Sequence, residues 1–327
     1  MNKFKLLIFD LFFVASSIIG VGFATGKEIS HFFLSGRSWV IAVTIFFCVF
    51  VGLSLYFLHI KYKYNITSLT QLNKLAFGKY YNLGNALLII LFVITNGAML
   101  AGGDNLVRNY LGINLPIVSL FLSVITFFIV IGGINRIKTI ANFVMPTLLV
   151  VMIINACGNF NSVTLHGKVI IDIVYPIIFC CQNFINLISV LLNTKSKPKP
   201  FAMVSGIFIS IIIFICAFCI GDLHADMPML TLSKNLGNVF FAIYLMGIIF
   251  ALFTTLEITT YHCLQISTKT KRDKYFTLLF ILLASQIIAY LGFNFIVQYL
   301  YTAIGVLGAI YLIALIIKLI IVNKKDK

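Results

Sequence analysis

From Tyr275 to Ile317 the chain carries no charged side chain. A helix crosses the hydrocarbon core of a bilayer in about 20 residues, so this run is too long for one crossing and too apolar for a soluble surface. The rest of the chain follows suit. Of its 327 residues 61% are apolar and only 10% charged, where soluble domains carry roughly 25% charged residues. The composition implies an integral membrane protein with the lipid bilayer as its surroundings. A formal charge of +15 could suggest nucleic acid, but the basic residues sit in short gaps between apolar runs, where orientation signals belong.

Ten spans follow from the length criterion: 6–33 (interrupted), 39–58, 83–101, 115–132, 139–157, 169–192, 201–220, 236–257, 275–291 and 295–321, with Gly292-Phe293-Asn294 as the turn between the last two. Lys3 and Lys5 followed by an apolar run and Ala15-Ser16-Ser17 imitate a signal peptide, but Asp10 interrupts that run and more membrane helix follows. The segment is therefore expected to stay as the first span. With the N-terminus in the cytoplasm, Lys27, Arg37, Arg108, Lys168 and Lys234 are outside and the other 19 of the 24 Lys and Arg residues are inside. This bias predicts cytoplasmic termini and an even number of spans. The seven cysteines lie in or beside apolar runs and imply no disulfide framework. Cys216-x-x-Cys219 reads as packing.

The first span contains its own breaking point, Ser17 to Glu28, SIIGVGFATGKE, with Gly20, Gly22 and Gly26 ahead of the acid. Ten spans make two groups of five, and because five is odd the second group runs inverted. The expected fold is therefore all-α in a single transmembrane domain, with repeat one at about 6–157, repeat two at about 169–321, and spans 1 and 6 discontinuous around a substrate and ion site. In the sixth span, Phe179-Cys180-Cys181-Gln182-Asn183 follows Pro176 at a comparable depth. Two adjacent amides are costly against lipid and tolerable around a polar cavity. Simpler readings stand beside these: Gly22-x-x-x-Gly26 also suits close helix packing, and Gln182 and Asn183 also suit bonds to a neighbouring helix. In the eighth span Ala251-Leu252-Phe253-Thr254-Thr255 offers two hydroxyls and a carbonyl, hard ligands for a small cation. Such a Thr pair equally bonds its own backbone.

Taken together, Gly20 to Ile29 with Phe32-Phe33, Pro228-Met229-Leu230, Phe253-Thr254-Thr255 and Gly305-Val306-Leu307-Gly308 resemble the YkvI-like bacterial membrane proteins of the amino acid-polyamine-organocation superfamily, which has the leucine-transporter fold. The resemblance implies a secondary active transporter in a bacterial plasma membrane, carrying a small amino acid or related carboxylate-bearing solute by alternating access. The N–H groups of Val21 and Gly22, beside Gly20 and Phe23, would face the solute carboxylate. Phe179 to Gln182 would offer carbonyls to its amine and an aromatic lid. The carbonyls of Ser16, Ile19 and Ala251 with the hydroxyls of Thr254 and Thr255 would hold sodium. Val144 to Cys157 contains no lysine, which favours sodium over protons as the coupling ion. Glu257 would be the proton relay in the other case, or a solvated residue at the cytoplasmic end. Glu28 would cap or gate the outer half of the first span, or pair at the interface with Lys27 or Arg37.

No nucleotide-binding loop, metal-ligand cluster or nucleophile paired with a base is legible, so neither an enzyme nor a cofactor is expected. His31, His59, His166, His224 and His262 fall near span ends and read as interfacial. The rival reading is a ligand-sensing membrane subunit of the germinant-receptor type, because a binding site looks alike whether or not it alternates.

Overall fold

The computed structural model describes residues 3–112, 115–159, 167–221, 223, 225–268 and 273–325; His166 and His224 lie outside them. The N-terminal segment forms α1 (Lys3–Ile18), α2 (Val21–Ala24) and α3 (Lys27–Phe33), followed by α4 (Trp39–Tyr64), α5 (Leu69–Phe77), α6 (Tyr81–Leu111), α7 (Ile117–Ile131) and α8 (Ile134–Gly158). After them come α9 (Val169–Asn193), α10 (Pro198–Ile220), α11 (Pro228–Ser233), α12 (Asn238–Ser267), α13 (Lys274–Ala289), α14 (Phe293–Phe295) and, beyond a π-helical turn at Ile296–Leu300, α15 (Tyr301–Lys325).

Seven stretches among the described residues are long and apolar enough to cross a membrane: α4, Leu69–Tyr110, α8, α9, α10, α12 and Phe293–Lys324. Helices α7 and α13 are apolar but shorter. The chain is a multi-pass, all-helical membrane protein. The long uncharged run turns where glycine allows it, at Gly292 with φ +86°, between α13 and α14. Apolar side chains such as Phe143 and Phe276 cover the outside. The inside is filled by phenyl rings and by many polar residues, including Thr254, Thr255, Thr259 and Thr260 along α12.

Two buried aspartates tie the halves together reciprocally. Asp10 on α1 accepts the N–H groups of Lys195 and Ser196, both at 3.0 Å, and the Ser196 hydroxyl at 2.7 Å, in the connection that leads into α10. Asp172 in the first turn of α9 accepts the N–H groups of Arg37 at 3.0 Å and Ser38 at 2.9 Å, in the connection that leads into α4. Both carboxylates are almost fully buried, and each holds a basic-residue-and-serine pair just ahead of a helix. A carboxylate bonded to backbone N–H groups is among the stronger polar contacts available inside a protein. At the C-terminal end of α9, Lys61 donates to the carbonyls of Leu191 and Thr194, and Lys138 to that of Asn193 at 2.7 Å. These amines bond carbonyls at the end of the helix, where the ladder runs out, and suit the negative end of the helix dipole.

Candidate functional site

The first span is broken by backbone geometry alone. The Ile19 N–H still reaches the Ala15 carbonyl, but the Gly20 N–H turns to Ile18, with Gly20 extended at φ −95°, ψ −163°. The Ser16 carbonyl thereby loses the N–H that a continuous helix would give it. Helix α2 then makes one turn and stops at Gly26, whose φ of +81° is left-handed and free of strain only without a side chain. The N–H groups at the head of α2, beginning with Val21 and Gly22, have no helical carbonyl to bond.

The freed Ser16 carbonyl meets α12. The Thr255 hydroxyl lies 3.0 Å from it and 3.4 Å from the Ile19 carbonyl. The neighbouring Thr254 hydroxyl turns back on its own helix to the Ala251 carbonyl at 3.1 Å. The five oxygens expected to hold sodium therefore form two groups: Ser16, Ile19 and Thr255 across two helices, and Ala251 with Thr254 along one. All five residues are buried.

The sixth span departs from expectation. Helix α9 is continuous from Val169 to Asn193, through Phe179–Asn183, with Pro176 inside it. It contains no glycine, and a proline removes a single N–H donor, here the one that would reach Asp172, so the remaining ladder persists. Phe179 is not a free lid but the centre of a ring cluster, with centroids 6.4 Å from Phe23, 5.4 Å from Phe32, 5.2 Å from Phe33 and 5.7 Å from Phe46. Cys180 and Cys181 are buried thiols. The Asn183 amide bonds the Phe179 carbonyl one turn back, at 3.0 Å. Gln182 is also buried, and its Oε1 has no partner among the described residues.

Neither candidate carboxylate sits in water. Glu257 is fully buried, and neither of its oxygens has a hydrogen-bond partner among the described residues, because its face of α12 turns into the protein. Glu28 is 3% exposed and pairs with neither Lys27 nor Arg37: the Lys27 amine reaches Asp226 at 3.3 Å. His262 is likewise not interfacial. It is buried in α12. Near it Asn96 of α6 bonds the hydroxyls of Thr259 and Thr260. The motifs gave no sign of this network, nor of the paired aspartates. Their only sequence signal is a polar residue inside an apolar run.

One solved structure that matches over 93% of this chain and 75% of its own is that of a Na+-coupled sialic acid symporter in a substrate-bound, outward-open state, with a TM-score of 0.63 and 14% identity. The two chains share a fold. It is the fold that the first-span motif implied, a helical transporter fold of the leucine-transporter type. No protein-family model and no curated protein sequence matches the chain. At this identity the likeness speaks for architecture, and the chemistry has to be argued from the residues above.

Proposed function

We propose that this protein is a secondary active transporter of a small amino acid or related carboxylate-bearing solute, coupled to sodium and working by alternating access. Two inverted five-helix repeats, at about 6–157 and 169–321, would sit in a bacterial plasma membrane with both termini cytoplasmic. The reciprocal contacts of Asp10 and Asp172 support that symmetry, since each half holds the other in the same way. Assignment to the YkvI-like proteins rests on the first-span motif.

The observation that carries the reading is the Ser16 carbonyl, released by the helix break and facing the Thr255 hydroxyl of α12. Freed carbonyls and hydroxyls between two helices suit a dehydrated sodium ion. With Ile19 beside them, Thr254 next to Thr255 along α12 and Ala251 one turn before it, the remaining oxygens of the shell would come from Ala251 and Thr254. The N–H groups of Val21 and Gly22 supply donors for the solute carboxylate, and Gly20, Phe23, Phe179, Cys180, Cys181, Gln182 and Asn183 form the surrounding wall. Buried Glu257 favours proton coupling as a second reading, because a buried intramembrane carboxyl is the usual element of a proton relay.

Purified protein in liposomes, assayed for uptake of labelled amino acids under an imposed sodium gradient and separately under a proton gradient, tests the proposal. Uptake driven by sodium is expected. Uptake driven by protons alone transfers the coupling role to Glu257, and saturable binding without uptake under either gradient makes the protein a sensor.

A further inference from the structure

Glu28 follows the helix break directly, just beyond Gly26. Gly26 reverses the chain between α2 and α3, and this brings the Glu28 side chain back over α2. A methyl group on Gly22 would lie 2.6 Å from Glu28 Cγ and Cδ. The glycine that marks the break is thus also the space into which the carboxyl folds. There the carboxyl is 3% exposed, and its Oε2 has no hydrogen-bond partner among the described residues.

The cations nearest in sequence are turned elsewhere. Lys27 faces Asp226, the His31 ring contacts the Thr302 hydroxyl at 3.3 Å, and Arg37 is exposed. Buried acceptors are nearly always satisfied in folded proteins, so the Glu28 carboxyl folded against the break calls for a ligand that donates hydrogen bonds. An ammonium group offers three N–H donors and the positive charge that the carboxylate lacks.

We propose that Glu28 is the counter-ion for an ammonium group of the solute. This deepens the transport reading and rests on it for the location of the solute. It restricts the substrate class to amine-bearing solutes, zwitterionic or cationic, and excludes plain carboxylates.

The test uses the full chain in lipid nanodiscs, with thermal unfolding as readout and methylammonium, ethylammonium, acetate and propionate as probes at matched ionic strength. Both alkylammonium ions should raise the midpoint of the wild type, and neither carboxylate should do so through Glu28. Glu28→Gln keeps the shape and removes the charge. It should fold, and its apparent affinity for alkylammonium should fall about tenfold or more, the usual scale for losing a charge-assisted hydrogen bond. Asp226→Asn, at an exposed acid, should respond like the wild type. Equal responses in wild type and Glu28→Gln, no wild-type response to any alkylammonium ion, or a Glu28-dependent response to sodium in place of alkylammonium would each overturn the assignment. Failure of the transport reading looks different: the Glu28-dependent ammonium response persists while liposomes show no uptake.

Discussion

The segment α1–α3 and helix α9 pack against each other and are built in different ways. Both carry a buried aspartate that holds the connection of the other half, Asp10 at Lys195 and Ser196, Asp172 at Arg37 and Ser38. Yet the first is cut into α1, α2 and α3, whereas α9 runs unbroken. Glycine makes the difference. The break ends in a left-handed residue that only glycine takes without strain, Gly26 at φ +81°, whereas the extended backbone at Gly20 is open to other residues. Proline at 176 takes away one hydrogen bond and leaves the other turns intact. One wall of the candidate site is consequently made of backbone groups and the other of side chains.

Four experiments sharpen or break this comparison. The largest effect is expected at Gly22. Gly22→Leu fills the space that Glu28 occupies and should abolish solute binding in nanodiscs, whereas a residue of similar bulk on the solvent-facing side of α9 should not. Normal uptake by Gly22→Leu would move the site away from the break.

Next comes the pair on α12. Thr254→Val with Thr255→Val keeps the helix shape and removes both hydroxyls. If these ligate sodium, sodium and solute no longer tighten one another, a loss of about 1–3 kcal/mol of coupling. Solute affinity measured with and without sodium reads this directly, and a double variant with full sodium stimulation would sink the sodium site.

The paired aspartates test the symmetry itself. Asp10→Ala and Asp172→Ala each strand two backbone N–H groups, most of them only partly buried, and each should cost about 1–3 kcal/mol in denaturant unfolding. The two losses are expected to agree within about 1.5 kcal/mol, within the scatter of such contacts. A severe loss at one position beside a negligible one at the other would show that the contacts are not equivalent.

The smallest effects belong to Pro176→Ala and Gly20→Ala. Pro176→Ala gives the Asp172 carbonyl its donor back in a helix that is already continuous, and should change stability by less than about 1 kcal/mol. A Cβ on Gly20 would approach the flexible end of Met99 at 2.9 Å, which can shift, so a similarly small cost is expected. A large loss from Gly20→Ala would mean that the Thr255 hydroxyl, 3.4 Å from the same Cβ position, depends on that exact opening.

Much of the architecture was legible in the sequence because its causes are local. Apolar length sets which segments reach across a bilayer, three glycines in twelve residues set where the first span breaks, and Gly292 sets where the long uncharged run turns. The continuity of α9 is not legible in the sequence, because polar side chains inside an apolar run look the same whether or not the backbone breaks. A side chain's polarity does not decide whether its helix bends.

The site was legible as residue types and not as partnerships. Thr254 and Thr255 look identical in sequence, but the helical rotation of about 100° between neighbours points one hydroxyl at its own backbone and the other across to Ser16 and Ile19. Glu28, Glu257 and His262 lie near charged or terminal stretches in sequence and are buried in the fold, because burial depends on which helices arrive on the other side. The sequence by itself determined that this chain is a helical membrane protein with a breakable first span. The tertiary structure decided which carbonyl the break releases, which hydroxyl meets it, and which acid folds into the space left by glycine. Those contacts join positions far apart in the chain, and no local pattern encodes them.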